Sequence, residues 1–182
     1  PHSKQWCADQ VSGIKGCGRD GLKAKRLTVR PSRGTNFTRH PIELSPFSGE
    51  SLKHGFSTVI QVLPEAKSAL AALDEELWRE LGLHDQGNAL VFHDQYISTG
   101  GQLAELMFGR YRFFADIRLP ALRKQGLKGS LCAHPYDICT IFLAQEAGIA
   151  STGLARQPRP RPRDLLDDIQ VYLIGSQVGG IA

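Results

Sequence analysis

The sequence predicts a layered α/β domain, and three observations carry that prediction. Short apolar stretches rich in β-branched residues alternate along the chain with segments whose apolar positions recur every three or four residues. Two of those segments open through polar turns, and glycine comes after the last apolar position of each helical pattern. The last apolar stretch is continuous, as a strand inside a sheet requires. At 182 residues, 41% hydrophobic and 22% charged, the chain falls in the range of one globular domain with a sizeable core.

Residues 1–40 hold nine Lys or Arg against Asp9 and Asp20, a net of +7, which leaves −3 for the rest of a chain whose total is +4. Within them Gly16-Cys17-Gly18-Arg19-Asp20-Gly21 matches the Gly-x-Gly-x-x-Gly dinucleotide pattern, which needs a strand before it and a helix after it. The stretch from Leu22 to Val29 alternates like a strand, so the glycines are expected in a hairpin or loop. Residues 30–50, with Pro31, Pro41 and Pro46, read as irregular. The expected organisation is a basic, mostly irregular segment over 1–50 and an α/β domain over 51–182.

FSTVIQVL, residues 56–63, predicts a strand. A helix begins at Pro64, with Leu70, Leu73, Leu77 and Leu81 as its apolar stripe and Gly82 as its stop. Residues 88–92 form a short strand aimed at the turn Ser98-Thr99-Gly100-Gly101, which opens a helix carrying Leu103, Leu106 and Met107 and ending at Gly109. Residues 112–118 predict the next strand. His134-Pro135-Tyr136-Asp137 opens another helix, with Ile138, Ile141 and Phe142 on its apolar side and Gly148 as its stop. QPRPRPR, residues 157–163, reads as an extended, solvated linker, and IQVYLIG, residues 169–175, as a final buried strand. Burial is therefore expected for Leu70, Leu73, Leu77, Ile138, Ile141, Phe142, Val171 and Leu173.

Several function classes are disfavoured. Cys7, Cys17, Cys132 and Cys139 form no Cys-x-x-Cys pair and read as reduced thiols. Asp137 and Cys139 lie two apart on a helix, on different faces, which argues against a zinc site with Cys132 and His134. No Gly-x-Ser-x-Gly elbow supports a hydrolase triad using His93 and Ser98. No apolar run approaches the roughly 20 residues that span a bilayer, and no basic-then-apolar leader opens the chain, so no membrane contact and a cytoplasmic location are expected. Pro1 at the start and Met107 as the sole methionine read as a processed or truncated chain. The basic segments invite nucleic acid, but no aromatic residue interleaves the arginines of 157–163, so nucleic acid is not the expected partner.

The ordered set of Thr99 to Gly101, Gly109-Arg110, Ala115-Asp116, Tyr136-Asp137 and Glu146-Ala147-Gly148 resembles the C-terminal half of the inositol monophosphatase superfamily. There a Gly-Ser-Ala-Ala helix start, a Gly-Arg-(Ala)-Asp segment and a Trp-Asp-x-Ala-Ala helix ending in Glu-Ala-Gly-Gly occur in this order. Here Tyr136 replaces the tryptophan and Cys139-Thr140 the alanine pair. The resemblance implies a layered sandwich with a central mixed sheet flanked by helices. It also implies a magnesium-dependent phosphomonoesterase acting on a sugar or polyol phosphate, and leaves room for a homodimer. Ser98, Thr99, Gly100, Gly101 and Arg118 would contact substrate, and Asp137 would bind Mg2+. Physical chemistry allows these roles, because a small-residue helix start admits an oxygen-rich ligand and a first-turn carboxylate is held ionised. It equally allows plain helix capping at Ser98, Thr99 and Asp137, and mutual pairing of Asp116 with Arg118.

The family's Glu-Glu pair followed by an Asp-Pro-x-Asp-Gly-Thr motif is not found as a set; the nearest echo of the latter, from Arg30 to Phe37, places Arg30 and Arg33 where the aspartates belong. A chain without them is expected to be inactive alone, because magnesium needs several converging carboxylates. Two functions remain open. One is part of a phosphatase of this type. The other is a non-catalytic α/β remnant or paralogue that binds anionic partners through its basic N-terminal region.

Overall fold

The computed structural model describes residues 7–29, 37–49, 51–61, 64–84, 90–93, 98–127, 135–152 and 172–174. These form an α/β structure with two sheets. The first is antiparallel, in the order β1 (Cys7–Ser12), β2 (Lys23–Val29) and β3 (Phe37–Ile42). The second contains β4 (Gly55–Val59), β5 (Val91–Phe92), β6 (Tyr111–Ala115), β7 (Ala150–Thr152) and β8 (Tyr172–Ile174), in the order β5-β4-β6-β8-β7. Strands β5, β4 and β6 are parallel, and β8 runs antiparallel to both of its neighbours. Four helices accompany the strands among the described residues: α1 (Lys67–Glu80), α2 (Thr99–Met107), α3 (Arg118–Lys124) and α4 (Pro135–Glu146).

The first sheet corrects the expectation of a mostly irregular N-terminal segment. The alternation expected after Leu22 is β2, and the Gly16 to Gly21 pattern lies in the loop that joins it to β1, with a single 3-10 turn over Gly18–Gly21. Pro41, a breaker in the interior of a sheet, is tolerated in β3 because β3 is an edge strand.

The five-stranded sheet has a core on each face. Ile60, Leu103, Leu106, Met107, Phe114, Ala144 and Ala147 bury one face under α2 and α4; Val59, Leu70 and Ala115 join Leu77 and Ala121 on the face covered by α1 and α3. A bulge in β6 fits the aromatic residues to these layers. Phe56 pairs with Tyr111 but Ser57 pairs with Phe113, so Arg112 is the extra residue. Tyr111 and Phe114, three apart, thereby enter the same cluster while Phe113 joins the other.

Each of the four helices ends alike. The N–H groups of Gly82, Gly109, Gly126 and Gly148 return to carbonyls three residues back, and the next residue closes a wider turn. At Gly109 no other residue fits, since φ is +70° and a β-carbon would collide with the Ser45 carbonyl.

Other boundaries moved. The strand expected over 112–118 stops at Ala115, and Arg118 instead begins α3; neither α3 nor β7 is expected from the sequence. The buried stripe of α1 is Leu70, Asp74 and Trp78, at four-residue spacing, whereas Leu73 and Leu81 are 45% and 49% exposed. Ile141 packs partly buried against the larger core and Phe142 is half-buried. The side chains of Ile138 and Leu173, and all of Val171, lie outside the described residues.

The two sheets meet at the end of α4. Glu146 accepts the N–H groups of Gly16 (2.9 Å) and Gly18 (2.6 Å), and Arg19 Nε donates to the Ala147 carbonyl (3.0 Å). Beside this junction Leu22, Ala24, Ile42, Leu44 and Ala147 line a cleft of about 240 Å3. The Gly16 N–H chiefly holds the Glu146 carboxyl below its ordinary range; desolvation opposes it, and the Gly18 N–H and Lys15 assist. A carboxyl depressed in the folded state contributes stability above its unfolded pKa and loses it as pH falls through the folded value. Glu146→Gln should therefore speed hydrogen exchange at the Gly16 and Gly18 amides at neutral pH. The parent should show the same loosening only on acidification below about pH 4.3. Equal exchange in both proteins at pH 7 would show that the carboxylate does not hold the loop.

Candidate functional site

Parallel strands β4, β5 and β6 all finish toward one edge of the five-stranded sheet. Helix α2 leaves β5 and returns to the start of β6, so it begins at that edge. Helix α4 leads through Gly148 into β7, and β7 is parallel to β6 because both are antiparallel to β8. Helix α4 therefore also begins at that edge. The starts of α2 and α4, 36 residues apart, are brought together by topology, and the two helices cover the same face.

Ser98 is the N-cap of α2. Its backbone is extended and its hydroxyl accepts the Gly101 N–H at 3.0 Å. Thr99 is buried in the first turn. One turn further, Gln102 is fully buried, and neither its amide oxygen nor its amide nitrogen is hydrogen-bonded among the described residues, a cost of about 1–3 kcal/mol for each such group. Asp137 lies in the first turn of α4, but its side chain falls outside the described residues.

Arg118 is engaged within the chain. Its guanidinium grips Asp116 in a fork, Nε to Oδ1 at 2.8 Å and Nη2 to Oδ2 at 2.6 Å, and both side chains are almost nine-tenths buried. The cause is local: with the strand ended at Ala115, the chain turns into α3 and brings residue 118 back onto residue 116. No group of three His, Cys, Asp or Glu is arranged to hold a metal among the described residues, and both Asp116 oxygens are occupied by Arg118. The described donors therefore do not fit a magnesium ion.

A second polar cluster, not expected from the sequence, lies on the opposite face. Asp74 of α1 accepts Trp78 Nε1 (2.9 Å) at Oδ1 and faces His93 Nδ1 (3.2 Å) at Oδ2. The Val59 N–H also reaches this carboxylate. β5 pairs with Gly55 and Phe56, and among the described residues no strand lies beside the later part of β4 on that side. Asp74 fills the gap. Trp78 is buried between His93 and Phe113, at ring distances of 5.6 and 6.0 Å, while the His93 side chain remains 37% exposed. A carboxylate on Nδ1 fixes the orientation of the ring. The sequence signal was an acid four residues from Leu70 and four from Trp78, on the face that should be apolar.

No protein-family model, curated protein or solved structure matches this chain.

Burial pushes the Asp74 carboxyl upward, against the pull of His93, the Trp78 N–H and the Val59 N–H. A carboxyl raised in the folded state contributes most below its unfolded pKa, and that contribution is lost as pH rises through the folded value. Asp74→Asn should remove this dependence: the stability of the parent relative to the variant should decline between pH 4 and neutrality, measured by urea unfolding. Asp74→Ala, which strands the Trp78 and Val59 donors, should cost about 2 kcal/mol at neutral pH. A parent-to-Asn difference that does not change with pH would mean that Asp74 is as well solvated folded as unfolded.

Proposed function

We propose that this chain is the substrate-gathering part of a phosphomonoesterase of the inositol monophosphatase type, binding a polyol or sugar monophosphate without turning it over alone. The observation that carries this reading is the convergence of the α2 and α4 starts on one sheet edge. Two positive helix ends directed to one space suit a ligand with several anionic oxygens. Open α/β sheets bind ligands at the carboxyl ends of their strands for this reason. The buried, unsatisfied Gln102 beside the α2 start is a stability cost of the sort found where a fold serves a ligand.

In this reading Ser98 shapes the helix start through its cap, Gly100 and Gly101 keep the approach open, and Asp137 stands at the second helix start. Arg118, paired with Asp116, fixes the turn after β6. Magnesium chemistry requires carboxylates beyond these residues, as hydrated magnesium is poorly held by one side chain.

Isothermal titration with inositol monophosphate and with inorganic phosphate tests the binding step. Saturable binding of the polyol ester, weakened at least tenfold by Gly101→Val with the circular dichroism spectrum retained, is the expected result. Hydrolysis of a generic phosphate monoester with magnesium should not exceed the no-protein rate. No binding of either ligand would overturn the reading, and robust turnover abolished by EDTA would reveal a complete metal site.

A further inference from the structure

The first sheet has one face whose charge is of a single sign. Cross-strand partners share a face and successive residues alternate. Ser12 with Lys23, Gln10 with Lys25 and Pro41, Ala8 with Leu27 and Arg39, and Phe37 therefore lie on one side. All except the half-buried Leu27 are exposed. Lys23, Lys25 and Arg39 stand there with no carboxylate among the described residues. On the other side the charges of Arg26 and Asp9 cancel at 2.8 Å, and Ala24 and Ile42 line the cleft against Ala147.

Phe37 is 44% exposed at one end of this basic face, and the Arg39 guanidinium lies over its ring at 4.4 Å. The geometry points to a binding face for single-stranded nucleic acid. Alternate residues on a strand are about 7 Å apart and neighbouring strands about 4.8 Å apart, so three cations and a ring-guanidinium stack share one small, flat area. Cations neutralise phosphates, while an aromatic ring and a guanidinium plane offer stacking surfaces to unpaired bases. Duplex bases, already stacked on each other, cannot use that platform. The chain order hides this arrangement, since the sheet pairing sets Arg39 beside Leu27 and Pro41 beside Lys25. The proposal is independent of the phosphate site, because its residues belong to the other sheet.

The test is fluorescence anisotropy of labelled 12-nucleotide oligo(U) and oligo(dT), titrated with the full chain at 50 and 200 mM salt. Saturable binding is expected, with a log–log salt slope of about −2, roughly 0.7 for each of three neutralised phosphates. The K23E/K25E/R39E variant should lose binding. Phe37→Ala should weaken it about 5- to 100-fold with the salt slope kept. All four side chains are exposed, and circular dichroism checks that the variants fold. Binding unchanged in either variant would overturn the proposal. So would equal affinity for phosphatidylserine vesicles that is insensitive to Phe37→Ala, which would mark a lipid-headgroup surface.

Discussion

At the C-terminal end of α4 the helix dipole disfavours negative charge, yet the last helical residue is an acid, Glu146. The contradiction disappears across the chain, because the Gly16 and Gly18 N–H groups converge on that carboxylate. Successive backbone N–H groups in a glycine turn form an anion-binding concavity whatever the anion is. The Gly-x-Gly-x-x-Gly pattern does bind an anion here, and the anion is internal. Arg19, from the same loop, supplies the positive charge that the helix end requires by donating to the Ala147 carbonyl. This exchange ties the first sheet to the core beside the apolar contacts of Leu22 and Leu44, and the sheet buries little of its own: Ala24 is its one buried residue among those described.

That poverty of burial also explains what was legible. Helices α2 and α4, their polar starts and glycine ends, and strands β4 and β6 could be read because each presents apolar residues to a core, while β5 and β8 were legible as short apolar stretches of sequence. β1 and β3 could not, because strands exposed on both sides carry no period-two signal. β7 and α3 are too short for periodicity to register. In α1 periodicity was present but marked the buried face only in part, since Leu70 and Leu77 pack on the core and Leu73 and Leu81 do not. Leucines at 70, 73, 77 and 81 suggest a stripe, whereas burial runs through Leu70, Asp74 and Trp78. Hydrophobicity favours Leu73 over Asp74; the hydrogen bonds of Trp78 and Val59 reverse the choice.

The same reversal governs the candidate site. A sequence shows which groups can be charged but not which charges are already answered. Arg118, Arg110 and Arg26 are each held by a carboxylate, and Arg112 is wrapped by the carbonyls of Ser51, Lys53 and His54 and stacked on Phe47. Each is determined by a turn, a bulge or a register that sequence spacing does not specify. The cations of the first sheet's outward face differ because their neighbours across the strands are neutral.

Two kinds of polar placement thus coexist. At the edge where α2 and α4 begin, topology concentrates two helix starts, which suits an anion held by dipoles and backbone. On the outward face of the first sheet, register concentrates side-chain charge with no helix end, which suits a polyanion held by point charges. The first needs a closed fold, since a helix end attracts an anion only within about one turn of its own start. The second needs only three paired strands. Glu146 joins the two, so the loop that could have held a phosphate instead fixes the basic sheet to the core.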